Sequence, residues 1–134
     1  MFKLICGLGN SDIENIKALV KLYAKAGAWM FDVSPFALAA LNEAIEEIGL
    51  NKANFKYCVS IPVEGDIHGK KAKILPDKCK KCGKCVKKCP QSAICGFVVN
   101  ENKCIGCGIC KKACSHGAVK LFDKTDYYDE LKKL

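Results

Sequence analysis

Two copies of one cysteine pattern constrain this chain more than anything else in it. The first reads Cys79-Lys-Lys-Cys82-Gly-Lys-Cys85-Val-Lys-Lys-Cys89-Pro90, and the second Cys104-Ile-Gly-Cys107-Gly-Ile-Cys110-Lys-Lys-Ala-Cys114-Ser115. Each is Cys-x-x-Cys-x-x-Cys-x-x-x-Cys, and together they take eight of the eleven cysteines. Three thiolates spaced two residues apart can wrap a tight loop around one iron–sulphur cube. The fourth is expected to start a turn of helix pointing away, towards a second cube. Zinc and disulphides compete for such cysteines, but zinc sites usually pair two Cys-x-x-Cys dipeptides across a gap or add histidines. The runs are an internal repeat with an offset of 25 residues, which maps Lys78 onto Lys103, Gly83 onto Gly108 and Phe97 onto Phe122. One copy is too short to bury a core alone. Two can close around their cofactors with pseudo-two-fold symmetry. The apolar pieces Ile74-Leu75, Ile94, Phe97-Val98-Val99, Val119 and Leu121-Phe122 are predicted to be short strands over the clusters.

This stretch resembles the bacterial two-cluster ferredoxins. The resemblance implies two 4Fe-4S clusters with crossed ligation: Cys79, Cys82, Cys85 and Cys114 on one, and Cys104, Cys107, Cys110 and Cys89 on the other. Cys89 is followed by Pro90 as in the family, whereas Cys114 is followed by Ser115. That departure removes a rigid turn and no ligand atom.

The composition narrows the setting. Thiolates kept free for iron imply a reducing, cytoplasmic compartment and not the oxidising one of a disulphide scaffold. No apolar run approaches the ~20 residues of a membrane span. The apolar start, Met1 to Gly9, is too short for a signal peptide and meets Asp12 and Glu14 at once. The formal charge is +8, and two clusters with their thiolates would bring it to roughly +4. All 22 basic residues are lysines. Sequence-specific DNA reading leans on arginine forks to guanine, so that role is disfavoured. Nine lysines, from Lys70 to Lys88, crowd into 19 residues opposed only by Asp77. They balance the clusters' negative charge, or offer a docking patch to an acidic redox partner.

Before the repeat, the order is β-α-β-α-β. Phe2–Cys6 is predicted to be a strand. Ser11 to Glu14 reads as a capping box opening a helix to about Ala26, with apolar positions Ile13, Ile16, Leu19, Val20 and Tyr23. Ala28–Val33 is a second strand, so apolar that both its faces are expected to be covered. Ser34-Pro35 caps a second helix ending at Gly49, and Lys56–Ile61 is a third strand. A parallel sheet with right-handed crossovers follows, a slice of a barrel whose open edges need the cysteine-repeat module, a second copy, or a missing partner or C-terminal domain. Function in such units sits at the carboxyl ends of the strands, here Cys6, Asp32-Val33-Ser34 and Ser60. Asp32 is a ligand or base, or a cap for the next turn; Cys6 and Cys58 read as core. Gly7-Leu8-Gly9 lacks the third glycine of a dinucleotide loop. His68 reads as solvated. Cys95 could lie near a cluster, and His116 could tune one.

Phe2-Lys3-Leu4-Ile5-Cys6-Gly7, Ala26-Gly27-Ala28, Phe31-Asp32-Val33 and the cysteine repeat together resemble the cyanobacterial light-dependent-period iron–sulphur proteins over roughly residues 2 to 122. In that family an incomplete barrel-like segment precedes a two-cluster module, a further long domain follows, and the family's protein is linked to redox input to the circadian clock.

The reading is an α/β partial barrel followed by an α+β two-cluster module. Residues 1–62 form the β/α segment, 63–73 a linker, 74–122 the cluster domain and 123–134 a C-terminal tail. One-electron transfer is the expected chemistry, with a redox-sensing regulator or an electron-feeding piece of a barrel oxidoreductase as alternatives. No catalytic constellation is complete.

Overall fold

A computed structural model describes residues 1–7 and 10–134. The chain forms two compact units, Met1–Pro62 with Asp126–Leu134, and Val63–Thr125. Leu8 and Gly9, the centre of the glycine loop considered above, lie outside the described residues.

In the first unit β1 (Phe2–Ile5), β2 (Ala28–Val33) and β3 (Lys56–Val59) form a parallel sheet in sequence order. The register sets Ile5 beside Asp32 and Asp32 beside Cys58. Right-handed crossovers in this order put both helices on the same face. Ile16, Val20 and Ala24 of α1 (Ile13–Lys25) and Leu41, Ala44 and Ile45 of α2 (Leu38–Glu47) accordingly share one core with Phe31 and Val33. The prediction that β2 is covered on both sides is therefore corrected. Trp29, Met30 and Asp32 are only half-buried, and Ile5, on the face that Asp32 shares, is 67 % exposed.

The capping of α1 also differs from the reading. Asp12 is the N-cap, with its Oδ1 accepting from the Asn15 amide at 3.3 Å. Glu14 falls one position short of the capping box and has no route back, while Ser11 is buried. Ser34 precedes the Pro35–Ala37 3-10 turn but does not cap it; its hydroxyl donates to the Asn10 carbonyl at 3.5 Å. α2 ends in a Schellman motif, with Gly49 at φ +74° and the Leu50 amide donating to Ile45 O at 3.2 Å. β3 stops at Val59, and a last ladder bond runs from the Ser60 amide to Val33 O at 3.0 Å.

The residues expected to be a C-terminal tail end in a short helix that belongs to the first unit. α5 (Tyr127–Leu131) buries Tyr127 to 1 % exposure, with its ring edge-on to Phe36 at 5.1 Å. The Tyr128 hydroxyl donates to Pro62 O at 3.4 Å.

In the second unit β4 (Lys70–Ile74) pairs antiparallel with β7 (Val119–Asp123), and β5 (Ile94–Cys95) with β6 (Val98–Val99). Residues 63–73 are thus no linker. They hold a 3-10 turn at Ile67–Gly69 and nearly all of β4, because Ala72 and Ile74 are core positions. Phe97 is not in a strand: Gly96 and Phe97, at φ +54° and +64°, make the tight turn of the β5–β6 hairpin. Two five-residue helices, α3 (Lys84–Lys88) and α4 (Ile109–Ala113), pack against each other.

Candidate metal centre

The short helices place the cysteines. Each begins after a left-handed glycine, Gly83 at φ +76° and Gly108 at φ +72°, which turns the chain so that Cys85 or Cys110 enters the first helical turn, facing inward. The fourth cysteine of each run ends the helix instead of starting one, correcting the expected geometry. Cys89 and Cys114 are the C-cap residues, already extended, and the helix between the third and fourth cysteines carries the fourth away from its own run.

As a result the eight cysteines fall into two groups of four. Cys79, Cys82, Cys85 and Cys114 line one hollow, closed by Ile74, Phe97, Ala118 and Val119. Cys89, Cys104, Cys107 and Cys110 line a second, closed by Ala72, Ala93, Ile94 and Val99. Each hollow therefore takes three cysteines from one run and the last from the other. Cys82 and Cys107 are the exposed members, while Cys85, Cys104 and Cys110 are buried. Among the described residues no three His, Cys, Asp or Glu side chains gather tightly enough to hold a single metal ion. No cysteine is in a disulphide.

Backbone amides point at the sulphurs. Ala93 N–H donates to Cys89 Sγ and Ala118 N–H to Cys114 Sγ, both at 3.3 Å and at equivalent places in the repeat. Lys81 N–H reaches Cys79 Sγ and Ala72 N–H reaches Cys104 Sγ, each at 3.4 Å. At Cys114 the donors favour the charged thiolate. The amides of Ala118 and His116 hold the Cys114 thiol below its usual range. Burial pushes Cys85 and Cys110 upward.

The loop at Cys104 is seated against β4. A Cβ at Gly106, where φ is +71°, would come within 2.2 Å of Lys70 O and 2.8 Å of Ile67 O. The equivalent Lys81 takes the same left-handed conformation, φ +53°, as a lysine. Sequence reasoning passed over Lys81 and Ser92, although the repeat aligns them with Gly106 and Gly117, where the left-handed turn is written openly. It also placed Lys71 on the surface. Lys71 is fully buried, and its Nζ donates to Cys104 O at 2.5 Å. Lys70 pairs with Asp123 at 2.8 Å. The lysine patch is thus the seven exposed residues Lys73, Lys78, Lys80, Lys81, Lys84, Lys87 and Lys88. His116 borders the first hollow. Cys95 is exposed and lines neither.

The strand ends of the first unit hold a smaller cluster. Asp32, 13 % exposed, pairs with Lys3 at 2.7 Å and accepts from Ser60 Oγ at 2.5 Å. Burial raises its pKa, but Lys3, Ser60 and Cys58 together outweigh that and hold the carboxyl below its usual range. Cys58 is half-buried beside this carboxylate and is not a core residue. Burial, with Asp32 nearby, pushes the Cys6 thiol up to about 11. His68 is exposed and paired with Asp66.

The 4Fe-4S binding domain family matches the chain twice, over residues 72–95 and 97–120. No curated protein matches it. No helix among the described residues is long and apolar enough to cross a membrane. Residues 72–120, which contain both cysteine groups, are thus similar to 4Fe-4S binding domains, in a chain of mixed α/β fold.

Proposed function

We propose that this chain binds two 4Fe-4S clusters and passes single electrons through them. The observation that carries the reading is the division of the eight cysteines into two crossed groups of four, each around its own hollow. Cys79, Cys82, Cys85 and Cys114 would hold one cluster, and Cys89, Cys104, Cys107 and Cys110 the other. The donor set fits: four thiols at each place and amides aimed at sulphur. A bound cluster supplies a one-electron couple whose potential is set by charge, hydrogen bonds to sulphur and solvent exposure. The chain's own part is to hold the thiolates, donate amides to them and keep water away with Ile74, Ile94, Phe97, Val99 and Val119. No acid–base chemistry is needed, so the protein is a carrier and not an enzyme by itself. The seven exposed lysines suit docking to an acidic redox partner in a reducing, cytoplasmic compartment.

The exposed Ile5 on the half-buried face of the first unit's sheet favours a second reading, in which that unit binds a further protein. The chain then acts as a redox-sensing regulator, as the light-dependent-period resemblance implies, or feeds electrons to a barrel oxidoreductase.

Anaerobic reconstitution with iron and sulphide counting, followed by electron paramagnetic resonance, tests the first reading. About eight irons and eight sulphides per chain, with spin-coupled signals on reduction, are expected. Zinc bound in place of iron would overturn it.

A further inference from the structure

The second unit carries a groove that the two cysteine groups do not use. It has a volume of about 590 Å³ and is lined from β4, β6 and β7. That is the size of a site for a small molecule, ~300–1,000 Å³. Its apolar floor is Leu75, Leu121 and Phe122, each half-buried, with Val98 at 70 % exposure. Lys73 and Lys120 line it as well, and both are exposed. The register sets these two lysines directly opposite each other on β4 and β7. Side chains so opposed have their Cβ atoms about 5 Å apart, where like charges destabilise the sheet. Among the described residues no carboxylate pairs with either lysine. Glu101, which also lines the groove, is engaged elsewhere, 3.9 Å from the Lys124 ammonium.

We propose that this groove binds a small amphipathic anion. One carboxylate, phosphate or sulphonate group is held between Lys73 and Lys120, and an apolar body about the size of a fused ring lies on Leu75, Val98 and Phe122. A single anion between the two ammoniums replaces their repulsion by attraction on both sides, and charge-assisted hydrogen bonds are the stronger kind. The apolar body takes Val98 out of water, which is favourable in proportion to the area covered. A neutral apolar molecule leaves the lysines opposed, and a plain inorganic anion leaves the floor wet, so the two features together select the amphipathic class. Ile74 lines both this groove and the first hollow, while Ala72 and Val99 line both the groove and the second. A ligand seated here therefore lies against walls of both cysteine sites.

The test is isothermal titration calorimetry of the full chain with 8-anilinonaphthalene-1-sulphonate, whose fused ring and single anionic group match the groove. Saturable binding of one equivalent is expected. Lys73→Gln combined with Lys120→Gln should weaken it by about tenfold or more, because hydrogen bonds to charged groups count for more than neutral ones. Val98→Asp, a second variant at an exposed position, should weaken it as well by setting a like charge beside the ligand. Lys25→Gln combined with Lys111→Gln removes the same charge from exposed positions outside the groove. That pair should change the affinity by less than about twofold, since distant surface charges are screened. The uncharged probe N-phenyl-1-naphthylamine should bind about tenfold more weakly than the sulphonate, or worse. Equal weakening by the two lysine pairs would reduce the effect to overall charge and overturn the assignment. So would no binding, or several equivalents bound alike by every variant. Binding of polyglutamate through Lys73 and Lys120 by a chain that ignores the probe would overturn it in favour of an acidic polypeptide. Iron counted on the same samples separates this inference from the cluster reading. The groove is lined by protein alone, so an iron-free chain that binds the probe sinks the cluster reading and upholds the groove.

Discussion

Gly106→Ala is the sharpest single test of how the second hollow is built. The new methyl would stand 2.2 Å from Lys70 O and 2.8 Å from Ile67 O, against the 3.4 Å or more of an ordinary contact. Both obstacles are backbone, so no side chain can swing aside. The first carbonyl would have to retreat by about 1.2 Å, the difference between 2.2 and 3.4 Å. It belongs to β4, whose neighbouring Ala72 amide already stands 3.4 Å from Cys104 Sγ, so that bond would be lost as the strand moves. The left-handed conformation costs alanine about 1–2 kcal/mol, and overpacking adds about 1–3 kcal/mol. The total is about 2–5 kcal/mol. Gly83→Ala is the control, because φ is +76° there but nothing lies within 4 Å of the added carbon. It should cost only the first part, about 1–2 kcal/mol. Urea titration of the iron-loaded protein, followed by loss of cluster absorbance and by iron count, compares them. Gly106→Ala should release half its iron at a lower urea concentration than the rest, while Gly83→Ala should not show this early step. Identical curves for the two variants would refute the claim that close packing against β4, and not backbone conformation alone, shapes this hollow.

The crossed grouping predicts a particular pattern of losses. Cys82→Ser and Cys114→Ser should each remove about half the iron, and combining them should remove no more, whereas Cys82→Ser with Cys107→Ser should remove nearly all; iron and sulphide counts decide. Asp32→Asn should cost about 1–2 kcal/mol at pH 7, where the hydrogen bonds from Lys3 and Ser60 favour the carboxylate. Since the folded carboxyl titrates below its unfolded range, this contribution is complete above about pH 4 and fades as the pH falls further through the folded value. Denaturation midpoints of the parent and variant should therefore converge in acid. Cys6, raised to about 11, should be alkylated at pH 8 about two orders of magnitude more slowly than a free thiol, and normally once urea unfolds the chain; peptide mass mapping reads both.

Legibility followed how locally each feature is encoded. The crossed grouping of the cysteines was expected through the ferredoxin resemblance, which rests on a spacing written in a few consecutive residues, while the β-α-β-α-β order was readable because helical and strand periods are local. What escaped depends on distant partners. Lys71 reads as surface in a run of lysines, yet its side chain is buried and its ammonium meets the carbonyl of Cys104, 33 residues on. Tyr127 looks like part of a charged tail until Phe36 covers its ring. The cap of α1 moved by one residue because Asp12, not Ser11, faces the Asn15 amide. Lys81 and Ser92 take glycine-like conformations that their identities hide and their repeat partners disclose.

The first unit is interrupted: its first segment ends at Pro62 and its second begins at Asp126, with the 63 residues Val63–Thr125 between them. Those residues are a tether whose state sets the probability that α5 finds its place against Phe36. Unfolded, a tether of this length charges on the order of 3–4 kcal/mol of closure entropy, from (3/2)RT ln n; folded, it has little freedom left to lose. Stripping iron from one unit should thus loosen the last helix of the other through chain connectivity alone, and amide exchange of Tyr127 to Leu131 should quicken after chelation. The loaded domain would then serve as a conformational clasp for a sheet that carries none of its ligands.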